Sequence, residues 1–110
     1  MNARDRTYLI HIRDAIALIR EYTAGSEQAF MSSRLHQDAV MRNFEIVGEA
    51  GGRLSKELRD NSPVAWQEIK AFRNFLAHQY MDVRPAMVWR IITNDLPALE
   101  AHVLSLLTAS

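Results

Sequence analysis

A chain of 110 residues, 48% hydrophobic and 24% charged, has the balance of a soluble globule and the length of one domain, enough for a core without covalent staples. Thirteen basic and thirteen acidic side chains cancel, so no global electrostatic attraction to nucleic acid is expected; the absence of cysteine excludes a disulfide scaffold, a thiolate nucleophile and a sulfur-ligated zinc. No apolar run is long enough to span a bilayer, and Met1-Asn2-Ala3-Arg4-Asp5-Arg6 leads into a mixed polar pattern, so the expected compartment is the cytoplasm.

From about Arg4 to Thr23, Leu9, Ile12, Ile16 and Ile19 recur at three- and four-residue spacing, the stripe of an amphipathic helix, with Gly25 as a stop. Ser26 to Phe30 reads as a short helical turn. Ser32 or Ser33 then caps a longer helix predicted to reach about Arg59, with Leu35, Val40, Phe44, Val47, Leu54 and Leu58 near one face. Gly48, Gly51 and Gly52 lie inside it at a cost of about 1 kcal/mol each relative to alanine. That pattern points to close packing of another helix, with a subunit interface as one option.

Asn61-Ser62-Pro63 marks a break and restart, with Ser62 as N-cap and Pro63 at the first helical position. Trp66, Ile69, Phe72 and Leu76 carry the next helix to Tyr80. Met81 to Pro85 is a connection, and a last helix is predicted from Pro85 to Leu107, kinked at Pro97. No segment alternates as a strand. The expected fold is all-α, a four- to five-helix antiparallel bundle forming a single domain over residues 1–110.

Metal chemistry finds little support in the pattern. Glu45 and Glu49 stand at i, i+4, but the Glu-x-x-His pairs that a di-metal bundle needs on other helices are missing. His11, His36, His78 and His102 are far apart and lack ligand spacing. The two glutamates are therefore expected to pair with Arg42, Arg53 or an arginine of a neighbouring helix, and neither a metal nor a cofactor is expected. The Gly48–Gly52 stretch lacks the strand before it and the lysine after it that a phosphate loop requires, and no serine sits on a strand–turn–helix elbow.

Chemistry concentrates instead in Arg73-Asn74-Phe75-Leu76-Ala77-His78-Gln79-Tyr80. On an ideal helix Asn74 and His78 stack at i, i+4, while Arg73 and Tyr80 return to nearly one face, giving two stripes about 100–140° apart. Around them Lys70, Arg73, Arg84 and Arg90 stand against Asp82 alone, a local cationic groove. A guanidinium fork matches phosphate oxygens, and an imidazole moves protons near neutral pH. The same residues also have structural readings: a histidine is favoured at a helix C-terminus, and Tyr80 would pack on Trp66 or Trp89 with its hydroxyl wet.

The run resembles the Arg-x4-His-x-Tyr signature of HEPN-domain ribonuclease toxins of the HepT type. The likeness extends to Arg42-Asn43-Phe44-Glu45-Ile46-Val47-Gly48-Glu49-Ala50, to Pro63 and Trp66-Gln67-Glu68-Ile69, to Phe72-Arg73-Asn74, and to Val88-Trp89 and Asn94-Asp95-Leu96-Pro97. It covers the chain from about Arg34 to Leu99. The resemblance implies an all-α toxin that cleaves RNA without metal and works as a homodimer with a shared cleft. It also implies a nucleotidyltransferase antitoxin as partner, with no membrane involved. Carried onto this sequence, Arg73 and His78 are the catalytic candidates, Asn74 and Tyr80 support or position RNA, and Tyr80 is the candidate AMP acceptor. A different class of function, a catalytically silent helical module that binds such a partner or a nucleotide, is the alternative.

Overall fold

A computed structural model of the chain describes residues 1–109. These residues form seven α-helices and one 3₁₀ turn, with no strand among them: α1 Ala3–Tyr22, α2 Glu27–Met31, α3 Arg34–Gly52, α4 Lys56–Asp60, α5 Trp66–His78, the 3₁₀ turn Tyr80–Asp82, α6 Pro85–Asn94 and α7 Leu96–Ala109. The fold is all-α, as the periodicity predicts. None of the helices is long and apolar enough to cross a membrane.

The first four helices start where a side chain can take an orphan amide. Asn2, Ser26, Ser33 and Ser55 each accept a hydrogen bond from the backbone N–H three residues on, opening α1, α2, α3 and α4. α1 lies at the centre and buries Leu9, Ile12, Ile16 and Ile19 against α3 and α7. Both neighbours run antiparallel to it. The Asp5 carboxylate at its start reaches Ser55, beyond the end of α3, and Arg20 near its end pairs with Glu100 at 3.0 Å. Asp5 is 3% exposed and accepts from both the N–H (2.7 Å) and the hydroxyl (2.6 Å) of Ser55, tying α1 to the cap of α4.

Four boundaries away from the end of α5 differ from expectation, each for an identifiable reason. The third helix stops at Gly52 rather than near Arg59, because Ser55 captures the Leu58 amide and restarts the chain as α4. Gly25 is not a left-handed cap, since no glycine has positive φ; Thr23 closes α1 through its N–H on Ile19 and Arg20. Ser62 does not cap α5, which begins at Trp66 without a side-chain cap. The Ser62 hydroxyl instead lies 2.8 Å from Nε2 of His102 on α7, a pairing across 40 residues that no local pattern encodes. Finally, Pro97 breaks the last helix instead of kinking it: α6 ends at Asn94 and α7 restarts with Pro97 in its first turn, where a missing N–H costs nothing.

α5 sits outside the α1–α3–α7 layer and packs on α3. Only Trp66 and Leu76 of α5 are buried, whereas Ile69, Phe72 and Phe75 are half-buried. Between α5 and the α6–α7 arm an apolar groove of about 390 Å³ remains, lined among others by Phe44, Val47, Ile69, Phe72, Ile91 and Leu99.

Candidate active site

The α3–α5 contact sets the position of the Arg73 side chain. The two helices run antiparallel, with Gly51 against Trp66, Gly48 against Arg73, and the rings of Phe44 and Phe72 edge to face at 5.5 Å. A Cβ on Gly48 would lie 2.3 Å from Cβ and 2.7 Å from Cγ of Arg73, and one on Gly51 would lie 2.9 Å from the Trp66 ring. These glycines are bare because α5 occupies the space. The close approach is therefore within the chain and not across a subunit interface; Gly52, by contrast, faces open space.

With its stem on Gly48, the half-buried Arg73 sends Nη1 to Oδ1 of Asn74 at 3.1 Å. That bond fixes one face of the guanidinium and leaves its other donors for a ligand. Asn74 is thus engaged with Arg73 and not with the imidazole of His78. His78 is the last residue of α5, exposed, and its ring makes no hydrogen bond among the described residues. On one helix, Arg73 and His78 are separated by about 140° and about 7.5 Å of rise. One chain therefore presents the two groups side by side around the helix, not in contact.

Tyr80 stands apart from the expected Arg73/Tyr80 stripe. α5 ends at His78, Gln79 leaves helical geometry (φ −128°, ψ 38°), and Tyr80 opens the 3₁₀ turn. Its ring does not pack on Trp66 or Trp89 as a buried tyrosine would. The phenol reaches α3, donating to Oδ1 of Asp38 at 2.5 Å and accepting from Nη2 of Arg34 at 3.1 Å. Arg34 closes the triangle through Nε to Oδ1 of Asp38 at 3.1 Å, and its guanidinium carbon lies 5.7 Å from the Tyr80 ring centroid. The Tyr80 hydrogen bond, aided by Arg34 against a smaller opposing burial, holds the Asp38 carboxyl below its ordinary range; Tyr80 and Asp38 in turn raise Arg34 above its own. Beside this triangle a cleft of about 190 Å³ is lined by Phe30, Arg34, Gln37, Met41, Tyr80 and Val83, among others.

Arg34 and Asp38 are functional candidates that sequence reading missed. Their i, i+4 opposite charges were visible, but such pairs are common on helix surfaces, and the partner that gives them meaning lies 42 and 46 residues away. Glu45 and Glu49 pair with Arg42 (3.8 Å) and Arg53 (3.9 Å), as expected. Among the described residues, no three His, Asp or Glu side chains are placed to hold a metal ion. Lys70, Arg84 and Arg90 are exposed, with no carboxylate partner among the described residues.

The all-helical domain thus carries, on α5 and the turn after it, an arginine fixed against a neighbouring helix, a free imidazole and a tyrosine, the residues of the Arg-x4-His-x-Tyr run. The chain belongs to the ribonuclease HepT-like family, whose model matches residues 12–106. It is 36% identical over 104 residues to a protein of Caldanaerobacter subterraneus named as a candidate RNase, with 93% of each chain covered. It is 31% identical over 102 residues to a protein of Thermococcus cleftensis named probable ribonuclease HepT, covering 91% of this chain and 93% of that one. A Methanocaldococcus jannaschii protein named as a gamma-glutamylcyclotransferase and candidate RNase is 36% identical over 104 residues; 93% of this chain matches, spanning 47% of that longer protein. No solved structure gives a significant match.

Proposed function

We propose that this chain is an endoribonuclease that cleaves RNA without metal, by attack of the 2′-hydroxyl on the adjacent phosphodiester. The observation that carries this reading is the paired presentation on α5: a phosphate-matching guanidinium braced by Gly48 and Asn74, and an unengaged imidazole at the helix end. RNA supplies its own nucleophile. The protein has to move protons and stabilise charge on the pentacoordinate phosphorus, tasks suited to His78 and Arg73 respectively. Asn74 serves Arg73 by fixing its fork, and Tyr80 lines the approach for RNA.

Two motifs from a homodimer would surround one phosphate, because within one chain Arg73 and His78 diverge around the helix. The half-covered Ile69, Phe72 and Phe75 on α5, and the apolar groove beside it, support pairing with a second copy. In the cell this activity is a cytoplasmic toxin, and a nucleotidyltransferase antitoxin silences it by transferring AMP to Tyr80. The support for that step is the position of Tyr80: the residue is 37% exposed, between Met81 at 90% exposed and the Arg34 region that includes Leu35 at 77%.

The test is RNA cleavage by the purified protein in excess chelator, comparing wild type with His78→Ala. Wild type should cut, and the variant should lose about 10²–10⁴-fold in rate with its helical signal intact. A folded His78→Ala protein that cuts at the wild-type rate would remove His78 from the mechanism.

A further inference from the structure

We propose that Asp38 and Arg34 of α3 are the positioning residues that make Tyr80 an acceptor for a nucleotidyl group, Asp38 by taking the phenolic proton and Arg34 by holding the phosphodiester that forms. This rests on the reading of Tyr80 as the modified hydroxyl. It adds what that reading lacks, a reason why this tyrosine and not another is the acceptor. Tyr8 and Tyr22 are partly buried on α1 and pack edge-on against His11 and His36. Neither phenol has a carboxylate partner among the described residues, whereas the Tyr80 hydroxyl donates to Asp38 at 2.5 Å.

The geometry supplies each requirement of the transfer. A phenol that donates to a carboxylate has its proton already directed at an acceptor, and with Arg34 on one lone pair of Oη the second remains for attack. Asp38 is ionised when the reaction begins, because the Tyr80 hydrogen bond and Arg34 hold its carboxyl below the ordinary range. In the reaction Oη attacks the α-phosphorus of a nucleoside triphosphate delivered by the second enzyme. The Oη–P bond forms, the bond from that phosphorus to the bridging oxygen breaks, and pyrophosphate leaves with the electron pair. The proton passes to Asp38 and from there to water, which reaches the Asp38 side chain at its 44% exposure.

The product state follows from the same three residues. Once Oη is esterified, Asp38 loses its donor and faces a new anion. Arg34, which bonds both Oη and Asp38 in the unmodified protein, is within reach of the phosphodiester and offsets that repulsion. Charge therefore shifts from the Arg34–Asp38 pair to an Arg34–phosphate pair.

The test measures AMP transfer to the full chain by its cognate nucleotidyltransferase, taken from the neighbouring reading frame, with ATP and mass spectrometry. Wild type, Asp38→Asn, Asp38→Glu, Arg34→Ala and Tyr80→Phe are compared. Expected are an adduct on Tyr80 of wild type, none on Tyr80→Phe, and a fall of about 10²-fold in kcat for Asp38→Asn with KM for the protein substrate little changed. Asp38→Glu should recover part of the rate, which a merely structural role for Asp38 would not produce. A second measurement needs no enzyme: N-acetylimidazole should acetylate Tyr80 more slowly in Asp38→Asn than in wild type, with Tyr8 as the internal reference. Wild-type rates for Asp38→Asn, while wild type carries AMP on Tyr80, overturn this proposal and leave the modification standing. An adduct on another residue of wild type overturns both.

Discussion

Replacing Gly48 by alanine is the sharpest perturbation of the site that leaves every chemical group in place. The added Cβ would meet Arg73 Cβ at 2.3 Å and Cγ at 2.7 Å, where 3.4 Å begins ordinary contact, so α3 and α5 must part by about 1 Å. The atoms it meets are the root of Arg73, not a flexible tip, and cannot swing aside. Such overpacking costs about 3 kcal/mol, and the better helix propensity of alanine returns about 1 kcal/mol, for a net loss of about 2 kcal/mol. For a domain this size the midpoint of thermal unfolding should fall by about 8–12 °C. Arg73 moves with α5, and displacing a phosphate-holding group by about 1 Å should cost about 10²-fold in RNA cleavage. Gly52→Ala is the matched control. A Cβ there meets nothing within 4 Å and φ is not positive, so stability should rise by about 0.4–1 kcal/mol with cleavage unchanged. Thermal unfolding of both variants, followed by circular dichroism, checks the pair. A Gly48→Ala protein as stable as Gly52→Ala would refute the argument that Gly48 seats Arg73.

Three further outcomes are expected. Arg73→Lys should impair cleavage nearly as much as Arg73→Ala, because lysine keeps the charge but loses the planar fork and its bond to Asn74; full activity of the lysine variant in a single-turnover assay would reduce Arg73 to a general cation. His102, held below the ordinary histidine range by burial, is neutral in the folded protein while the unfolded chain takes up its proton as pH falls through about 6.5. Stability should therefore drop between the unfolded and folded values and level off below them. His102→Gln should lose less stability than wild type between pH 7 and pH 5, and equal losses in denaturant titrations would contradict this. Sedimentation at micromolar concentration should show a homodimer, and a monomer would count against a shared cleft.

Much of the fold was legible because the helices carry their own signals. The Leu9–Ile12–Ile16–Ile19 stripe and a serine cap at Ser32 or Ser33 are local signals, and the structure places the cap at Ser33. What was not legible was decided over distance. Ser62 looked like a cap but is taken by His102, and Ser55 ended a helix that periodicity alone would have continued. The glycines announced a close approach without saying to what, and only the register of α3 on α5 shows that Arg73 and Trp66 fill the space. At the site, the Arg73–Tyr80 run could be read as chemistry from residue types. The helix end at His78, and with it the turn of Tyr80 toward Asp38 and Arg34, could not, because the phenol finds its partners on another helix.

The central claim is that the RNA's own 2′-hydroxyl is the nucleophile and that this chain supplies only charge and proton transfer. The most direct measurement compares an RNA with the same sequence fully 2′-O-methylated, both incubated with purified wild-type protein in chelator, with the product ends identified by mass spectrometry. The account predicts that only the unmodified RNA is cut and that its new 3′ ends carry 2′,3′-cyclic phosphate. Cleavage of the methylated RNA, or cleavage of unmodified RNA that appears only when a divalent metal is restored, would contradict it.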